Sequence, residues 1–127
     1  MKEKHPMVVG QTVFSVRKGT EHRAEKSLHE LDSNLRAAPG HQTHRILRSF
    51  GMSPIASALH DETREGELGA VHYVVQTEWE SLDAHDEFYR SDALAKVYRV
   101  LSSILISGPY EVLYDVLEQG ERSGVAA

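Results

Sequence analysis

Histidine is the side chain best suited to move a proton near neutral pH, and the sequence contains eight of them. Two of these, His44 and His72, fall in segments with the β-branched and aromatic residues typical of strands. An imidazole with a pKa near its ordinary value of ~6.5 can act as a general base. We therefore predict His44 and His72 as the catalytic residues, the alternative being that each is an ordinary polar residue on a sheet.

Aromatic side chains near these histidines predict a binding pocket. The single tryptophan, Trp79, ends an apolar run, where its ring could either stack on a substrate or seal the rim of the core. Tyr98 is likewise either a pocket residue or a half-buried core aromatic.

A metal site would need ligands from separate segments. His44 and His72 could bind a metal with His60 or Asp61 if they faced the same side of a sheet. Residues three apart on a strand point to opposite faces, so the sequence "HQTH" is not a metal signature, and we predict no metal. The remaining histidines are predicted to be solvated on a terminus, a turn or helix surfaces: His5, His22, His29, His41 and His85.

The elements that would position these residues follow the order β-α-β-β-α-β. Alternating apolar residues predict a strand from Val8 to Val16, and apolar residues at helical spacing predict a helix capped by Thr20 and stopped by Pro39-Gly40. Two further strands, 41–50 and 68–79, flank a long loop from Gly51 to Glu67, read as a solvated surface or a lid over the pocket. A second helix, capped by Ser81, interrupted at 90–92 and ended by Gly108-Pro109, precedes a final strand, 110–117.

This order predicts a ferredoxin-like α+β fold, with one antiparallel sheet and both helices on one face. Apolar residues occur on both sides of the strands, and the two helices can cover only one side. The uncovered set would comprise Val9, Val13, Tyr110, Val112, Tyr114 and Val116. We therefore predict a homodimer whose two sheets pack face to face at a spacing of about 10 Å.

Composition limits the class of protein. The 127 residues predict one domain with a core at 7–118 and a frayed tail at 119–127. There are no cysteines, so thiolate chemistry and cysteine-bound metals are excluded, and a cytoplasmic location is expected. The net charge of -5 argues against binding to nucleic acid or an anionic membrane, and no apolar run is long enough to span a bilayer.

Four sequence features, taken in order, resemble the antibiotic biosynthesis monooxygenase superfamily, whose members are dimeric α+β barrels. They are "VRKG" after the first strand, "AAPG" at the end of the first helix, "TEWESLDAHDEFYRSDAL", and the final "GPYEVLYDVL". The resemblance extends from Val8 to Leu117 and is more specific for fold than for activity, because this fold carries several chemistries.

One branch of the superfamily degrades haem, and this chain departs from its pattern. Counting from Ser91, the branch's tryptophan falls at Phe88, its haem-binding histidine at Tyr98 and its asparagine at Thr12. Tyrosine can bind ferric haem, so a haem-degrading monooxygenase is kept as an alternative.

A second branch forms quinones without metal or flavin, and Trp79 resembles its tryptophan at the end of the third strand. That branch's asparagine is replaced by Val75. The resemblance implies a cofactor-independent monooxygenase acting on an aromatic or polyketide-like substrate, with a water-poor pocket between the helices and the sheet. The substrate-binding residues that it implies are Trp79, Tyr73, Tyr98, Arg99 and Phe88. The other alternative is a non-catalytic dimer that binds a small hydrophobic ligand or organises a pathway.

Overall fold

The computed structural model describes residues 7–51 and 69–123. Seven elements follow one another: β1 (Val8–Arg17), α1 (Glu21–Arg36), β2 (His41–Arg48), β3 (Ala70–Trp79), α2 (Leu82–Tyr89), α3 (Asp92–Leu101) and β4 (Leu105–Tyr114). The strands form one antiparallel sheet in the order β2-β3-β1-β4. This is the ferredoxin-like α+β arrangement predicted from the sequence, with the predicted second helix divided into α2 and α3.

The first helix buries one stripe. Ala24, Leu28, Leu31 and Leu35 recur at helical spacing and are all buried against the sheet. Thr20 occupies the predicted N-cap position, but its hydroxyl donates to the carbonyl oxygen of Arg17 at 2.6 Å and makes no capping hydrogen bond.

Two serines set the starts of α2 and α3. Ser81 Oγ accepts from the backbone N–H of Ala84 at 3.1 Å, which confirms the predicted cap, and Ser91 Oγ accepts from that of Leu94 at 3.3 Å. A new helix therefore begins after Arg90, and the apolar pattern is interrupted there.

The last strand begins earlier than predicted. We expected a helix running to Leu105 and stopped by Gly108-Pro109. Instead, α3 ends at Leu101, and Gly108 and Pro109 lie inside β4. Gly108 has a φ of +84°, and a Cβ there would collide with the backbone of Val13 and Phe14. Beyond this point β4 pairs regularly with β1, so that Glu111 lies opposite Thr12.

The sheet has one covered face and one open face. Alternate residues of β1 and β3 form a single buried cluster with α1 and α3, as the alternation predicted. On the other face Val13, Tyr110 and Val112 are exposed, Tyr110 to 67%. The predicted apolar open face is confirmed, whereas the homodimer stays a prediction.

Two other predictions concern the long loop and membrane-spanning segments. The loop from Gly51 to Glu67 lies almost entirely outside the described residues, as do His60 and Asp61. Among the helices that the structure describes, none is long and apolar enough to cross a membrane.

Candidate active site

A histidine and a carboxylate meet beneath the helices. His85, in the first turns of α2, has a side chain only 6% exposed. Its Nε2 lies 2.9 Å from Oε1 of Glu111 on β4, and its Nδ1 lies 2.9 Å from Oδ1 of Asp86. Both ring nitrogens are therefore engaged by carboxylates, which fixes the orientation of the ring.

The protonation of His85 follows from these contacts. Burial lowers the pKa of His85, but its hydrogen bonds to Glu111 and Asp86 act in the opposite direction and raise the pKa above its ordinary value. The raised pKa shifts the equilibrium towards the imidazolium form, in which each N–H donates to a carboxylate oxygen. His85 and Glu111 form an ion pair when His85 is protonated.

Two buried oxygen atoms near this pair are left without partners. Oε2 of Glu111 and Oγ1 of Thr12 make no hydrogen bond to any described residue. The phenol of Tyr89 lies beside both side chains, and hydrogen bonding with Thr12 and Glu111 contributes to its pKa, although no hydrogen bond of good geometry is formed to Oγ1 of Thr12 or Oε2 of Glu111. Thr12 and Glu111 face each other across β1 and β4, on the side of the sheet covered by the helices. Such atoms carry a cost of about 1–3 kcal/mol each when they are not satisfied, so a bound polar group would be favoured there.

Gly10 makes room for the carboxylate. A Cβ at this position would collide with Oε2 of Glu111 and would also crowd the hydroxyl of Thr77. The space that other residues would fill with a side chain is therefore occupied by the free oxygen of Glu111.

Tyrosines complete the surroundings. The ring of Tyr89 stacks on that of His85, with centroids 4.2 Å apart. Tyr98 packs edge-on against Phe14. Burial raises the pKa of Tyr89 and Tyr98, and the negative charge of Glu111 raises both further, so both keep their phenolic protons near neutral pH. Neutral phenols can donate hydrogen bonds to a neighbouring carboxylate.

A family model matches most of the sequence. The sequence model described as "Antibiotic biosynthesis monooxygenase" matches residues 7–99, which is more than half of the chain.

The chain belongs to the antibiotic biosynthesis monooxygenase family.

Solved structures of this fold agree over most of their length. SnoaB, a cofactor-independent oxygenase from Streptomyces nogalater, is 14% identical and superposes with a TM-score of 0.65, covering 90% of this chain and 96% of that one. A Caulobacter crescentus protein named after the same family is 17% identical, with a TM-score of 0.68 and coverage of 90% and 92%. At these identities the likeness establishes the fold alone. No curated protein matches the sequence.

The predicted catalytic histidines of this family member do not meet. His44 pairs with Thr77 on the covered face, whereas His72 pairs with Ser15 on the open face. His72 is exposed, and its Nδ1 lies 2.6 Å from the hydroxyl of Ser15. The condition for a shared site, that both face the same side, is not fulfilled.

His44 belongs to a separate network. Its Nε2 lies 2.7 Å from Oδ1 of Asp32 on α1, and its Nδ1 lies 2.9 Å from Nε2 of His41. Burial and the neighbouring positive charges of His44 and Arg36 lower the pKa of His41. Like His85, His41 was wrongly predicted to be solvated, since its ring packs edge-on against Trp79. Within the described ranges, no three side chains are arranged to hold a metal ion.

Trp79 faces the core. It is 0% exposed, its indole N–H donates to Thr77 Oγ1 at 2.9 Å, and its ring packs against Phe88. Sealing of the core therefore describes Trp79 better than stacking on a substrate does.

The other predicted pocket residues are dispersed. Tyr73 is buried, with its hydroxyl donating to Glu25 at 2.8 Å, and Arg99 is exposed on α3. Of the predicted substrate-binding set, Tyr98 is the one whose charge environment is influenced by Glu111.

A cleft of about 800 Å³ lies elsewhere, between α1 and β2. Its wall carries the ion pairs Glu25–Arg48 and Asp32–Arg36, whose polar groups already satisfy one another. The unsatisfied polar atoms are found instead beside Glu111, and for this reason we place the candidate active site there.

His85 and Glu111 were missed by sequence reasoning. A usable signal was present, because His85, Phe88 and Tyr89 follow the i, i+3, i+4 spacing of one helix face. For Glu111, the predicted alternation of the last strand already gives the covered face, but the sequence carries no sign of its contact with His85.

Proposed function

We propose that this protein is a cofactor-independent monooxygenase that acts on an aromatic, polyketide-like substrate carrying an acidic C–H group. Family membership supports a monooxygenase, and SnoaB, which shares the fold, is an oxygenase that needs no cofactor. The observation that carries the proposal is the pair of unsatisfied buried oxygens, Glu111 Oε2 and Thr12 Oγ1, among aromatic side chains.

The substrate class follows from these atoms. A carboxylate oxygen accepts hydrogen bonds, so it favours a ligand that presents a hydroxyl or an acidic C–H. Thr12 can accept or donate, and the phenols of Tyr89 and Tyr98 can donate. A hydroxylated anthrone combines these features.

The reaction balances without a resident redox group. A base removes a proton from the CH₂ group, and the electron pair remains as a carbanion conjugated with the ring carbonyl. The carbanion adds to O₂ and gives a hydroperoxide. Loss of the second C–H proton breaks the O–O bond, so that one oxygen atom becomes the new carbonyl and the other leaves as water. Donors near the developing oxyanion lower the barrier to the first step.

Haem is a poor fit to these residues. Tyr98 occupies the position of the haem ligand, yet burial and Glu111 raise the pKa of Tyr98 and so oppose the tyrosinate form that would bind ferric iron. Haem degradation is therefore not our proposal.

A second copy of the chain is proposed to cover the open face. Val13, Tyr110 and Val112 form an apolar surface there, which a soluble monomer rarely exposes without a partner. Two such faces can pack as stacked sheets.

Oxygen uptake tests the proposed function. Metal-free protein, treated with chelator, is mixed with a hydroxylated anthrone, and both O₂ consumption and quinone absorbance are followed against buffer alone. One quinone formed per O₂ consumed, at a rate proportional to protein, supports the proposal. Tight binding without turnover would instead favour a non-catalytic ligand-binding protein.

A further inference from the structure

We propose that Oε2 of Glu111 is the proton acceptor of this reaction and that His85, held by Asp86, positions it. This inference rests on the proposed function. It assigns the base to β4 and to a carboxylate, rather than to either of the histidines that the sequence favoured.

The geometry separates the two oxygens of Glu111. Oε1 lies 2.9 Å from His85 Nε2, whereas Oε2 has no hydrogen-bond partner among the described residues. A carboxylate anchored through one oxygen keeps its orientation and leaves the other oxygen free to take a proton. General bases held in this way contribute roughly 10²–10⁴-fold to rate.

His85 is unsuited to act as the base itself. Its two ring nitrogens face Glu111 and Asp86, so neither has a lone pair directed towards a ligand. In the imidazolium form the ring has no proton-accepting site at all. Its role is to hold Glu111 in place and to keep a positive charge beside it.

Three neighbouring features maintain this arrangement. Asp86 engages the far nitrogen of His85, Tyr89 stacks on the ring, and Gly10 leaves open the space that Oε2 occupies. Asp86 is the more exposed carboxylate of the two, at 42% against 18% for Glu111. The chain of contacts therefore runs from the helix surface to the buried oxygen.

The proton-transfer step is simple. The substrate C–H bond breaks, its proton forms an O–H bond with Oε2, and the bonding electron pair stays on the substrate as the carbanion. The neutral acid then returns the proton to the peroxide formed with O₂. Glu111 ends the cycle ionised, as it began.

The variants Glu111→Gln and Glu118→Gln form a matched pair, because Glu118 lies exposed beyond β4. We expect kcat to fall about 100-fold or more in Glu111→Gln and to stay within about twofold of wild type in Glu118→Gln. Far-UV circular dichroism and thermal unfolding verify that each variant is folded. An active wild type with equally active, folded Glu111→Gln would overturn the inference and leave the proposed function standing.

The positioning role of His85 has a readout that a purely structural role would not move. In His85→Gln the positive charge is lost while a side-chain amide remains, so the acidic limb of the pH–rate profile should move to higher pH. The other titratable groups near the pair are Asp86, Tyr89 and Tyr98, all unchanged in this variant. A profile that only loses amplitude, without a shift, would contradict the positioning role.

Ligand binding distinguishes a failure of the proposed function from a failure of the assignment of Glu111. The probes are 1,8-dihydroxyanthraquinone and unsubstituted anthraquinone, which cannot be oxidised at the reacting carbon. We expect the hydroxylated probe to bind wild type at least about tenfold more tightly, and Glu111→Leu to lose this preference. If wild type turns over no anthrone but keeps this Glu111-dependent preference, the proposed function fails and the assignment of the binding site survives. Equal preference in wild type and Glu111→Leu would overturn the assignment.

Discussion

The imidazole of His85 and the carboxylate of Glu111 lie 2.9 Å apart although 26 residues separate them in the chain. One belongs to a short helix and the other to an edge strand, and their side chains are 6% and 18% exposed. The ion pair leaves Glu111 Oε2 unsatisfied, beside an equally unsatisfied Thr12. Buried polar atoms without partners are costly, and a binding site is the simplest reason for a protein to retain them.

Thr12→Val should weaken ligand binding without lowering the stability of the fold. A methyl group replaces a buried hydroxyl that has no partner, so we expect the free energy of unfolding to rise by about 1 kcal/mol or to stay unchanged. Affinity for the hydroxylated anthraquinone should fall at the same time. Urea denaturation and a binding titration measure the two quantities. A marked loss of stability would mean that the hydroxyl is satisfied in the folded protein.

The pH dependence of stability reports on His85. Because its pKa is raised in the folded state, its contribution to stability is fully present below about pH 6.5 and is lost as the pH rises through the folded pKa. The difference in unfolding free energy between wild type and His85→Gln should therefore be largest at acidic pH and shrink above pH 6.5. Denaturant unfolding at several pH values measures it, with His29→Gln, an exposed site on α1, as the control. A difference that grows with pH would contradict the ion pair.

Trp79 provides a spectroscopic test of its own burial. As the only tryptophan, and 0% exposed, it should give a blue-shifted emission that acrylamide quenches weakly. Trp79→Phe should cost about 2 kcal/mol of stability through the cavity and the lost hydrogen bond to Thr77. Anthraquinone affinity should change little in that variant. A large loss of affinity with little loss of stability would restore Trp79 to the binding site.

Much of the fold could be predicted because strand alternation is a local property. The faces of β1 and β3 follow directly from which residues alternate, and the burial of Val71, Val75 and Trp79 agrees. The start of β4 could not be predicted, since Gly108-Pro109 normally ends a helix and here accommodates the close approach of β1. The face of Glu111 follows from the alternation of the last strand, but the meeting of Glu111 with His85 is a tertiary contact that no local pattern predicts.

The oligomeric state tests the open face. Val112 on β4 and Val100 on α3 are almost equally exposed, at 52% and 51%, so they form a matched pair. We expect Val112→Lys to convert a dimer into a monomer and Val100→Lys to leave the dimer intact. Light scattering coupled to size exclusion measures the mass. A wild-type protein that is monomeric at micromolar concentration would contradict the dimer.

Anaerobic hydrogen exchange tests the central claim most directly, because it isolates proton abstraction from the reaction with O₂. A hydroxylated anthrone is incubated under argon in D₂O with wild type, Glu111→Gln or buffer, and loss of the CH₂ proton signal is followed by NMR. The account predicts that wild type accelerates the exchange well above the buffer rate and that Glu111→Gln, though folded, does not. Equal acceleration by both proteins would show that another group removes the proton, and no acceleration by wild type would show that this site does not abstract it.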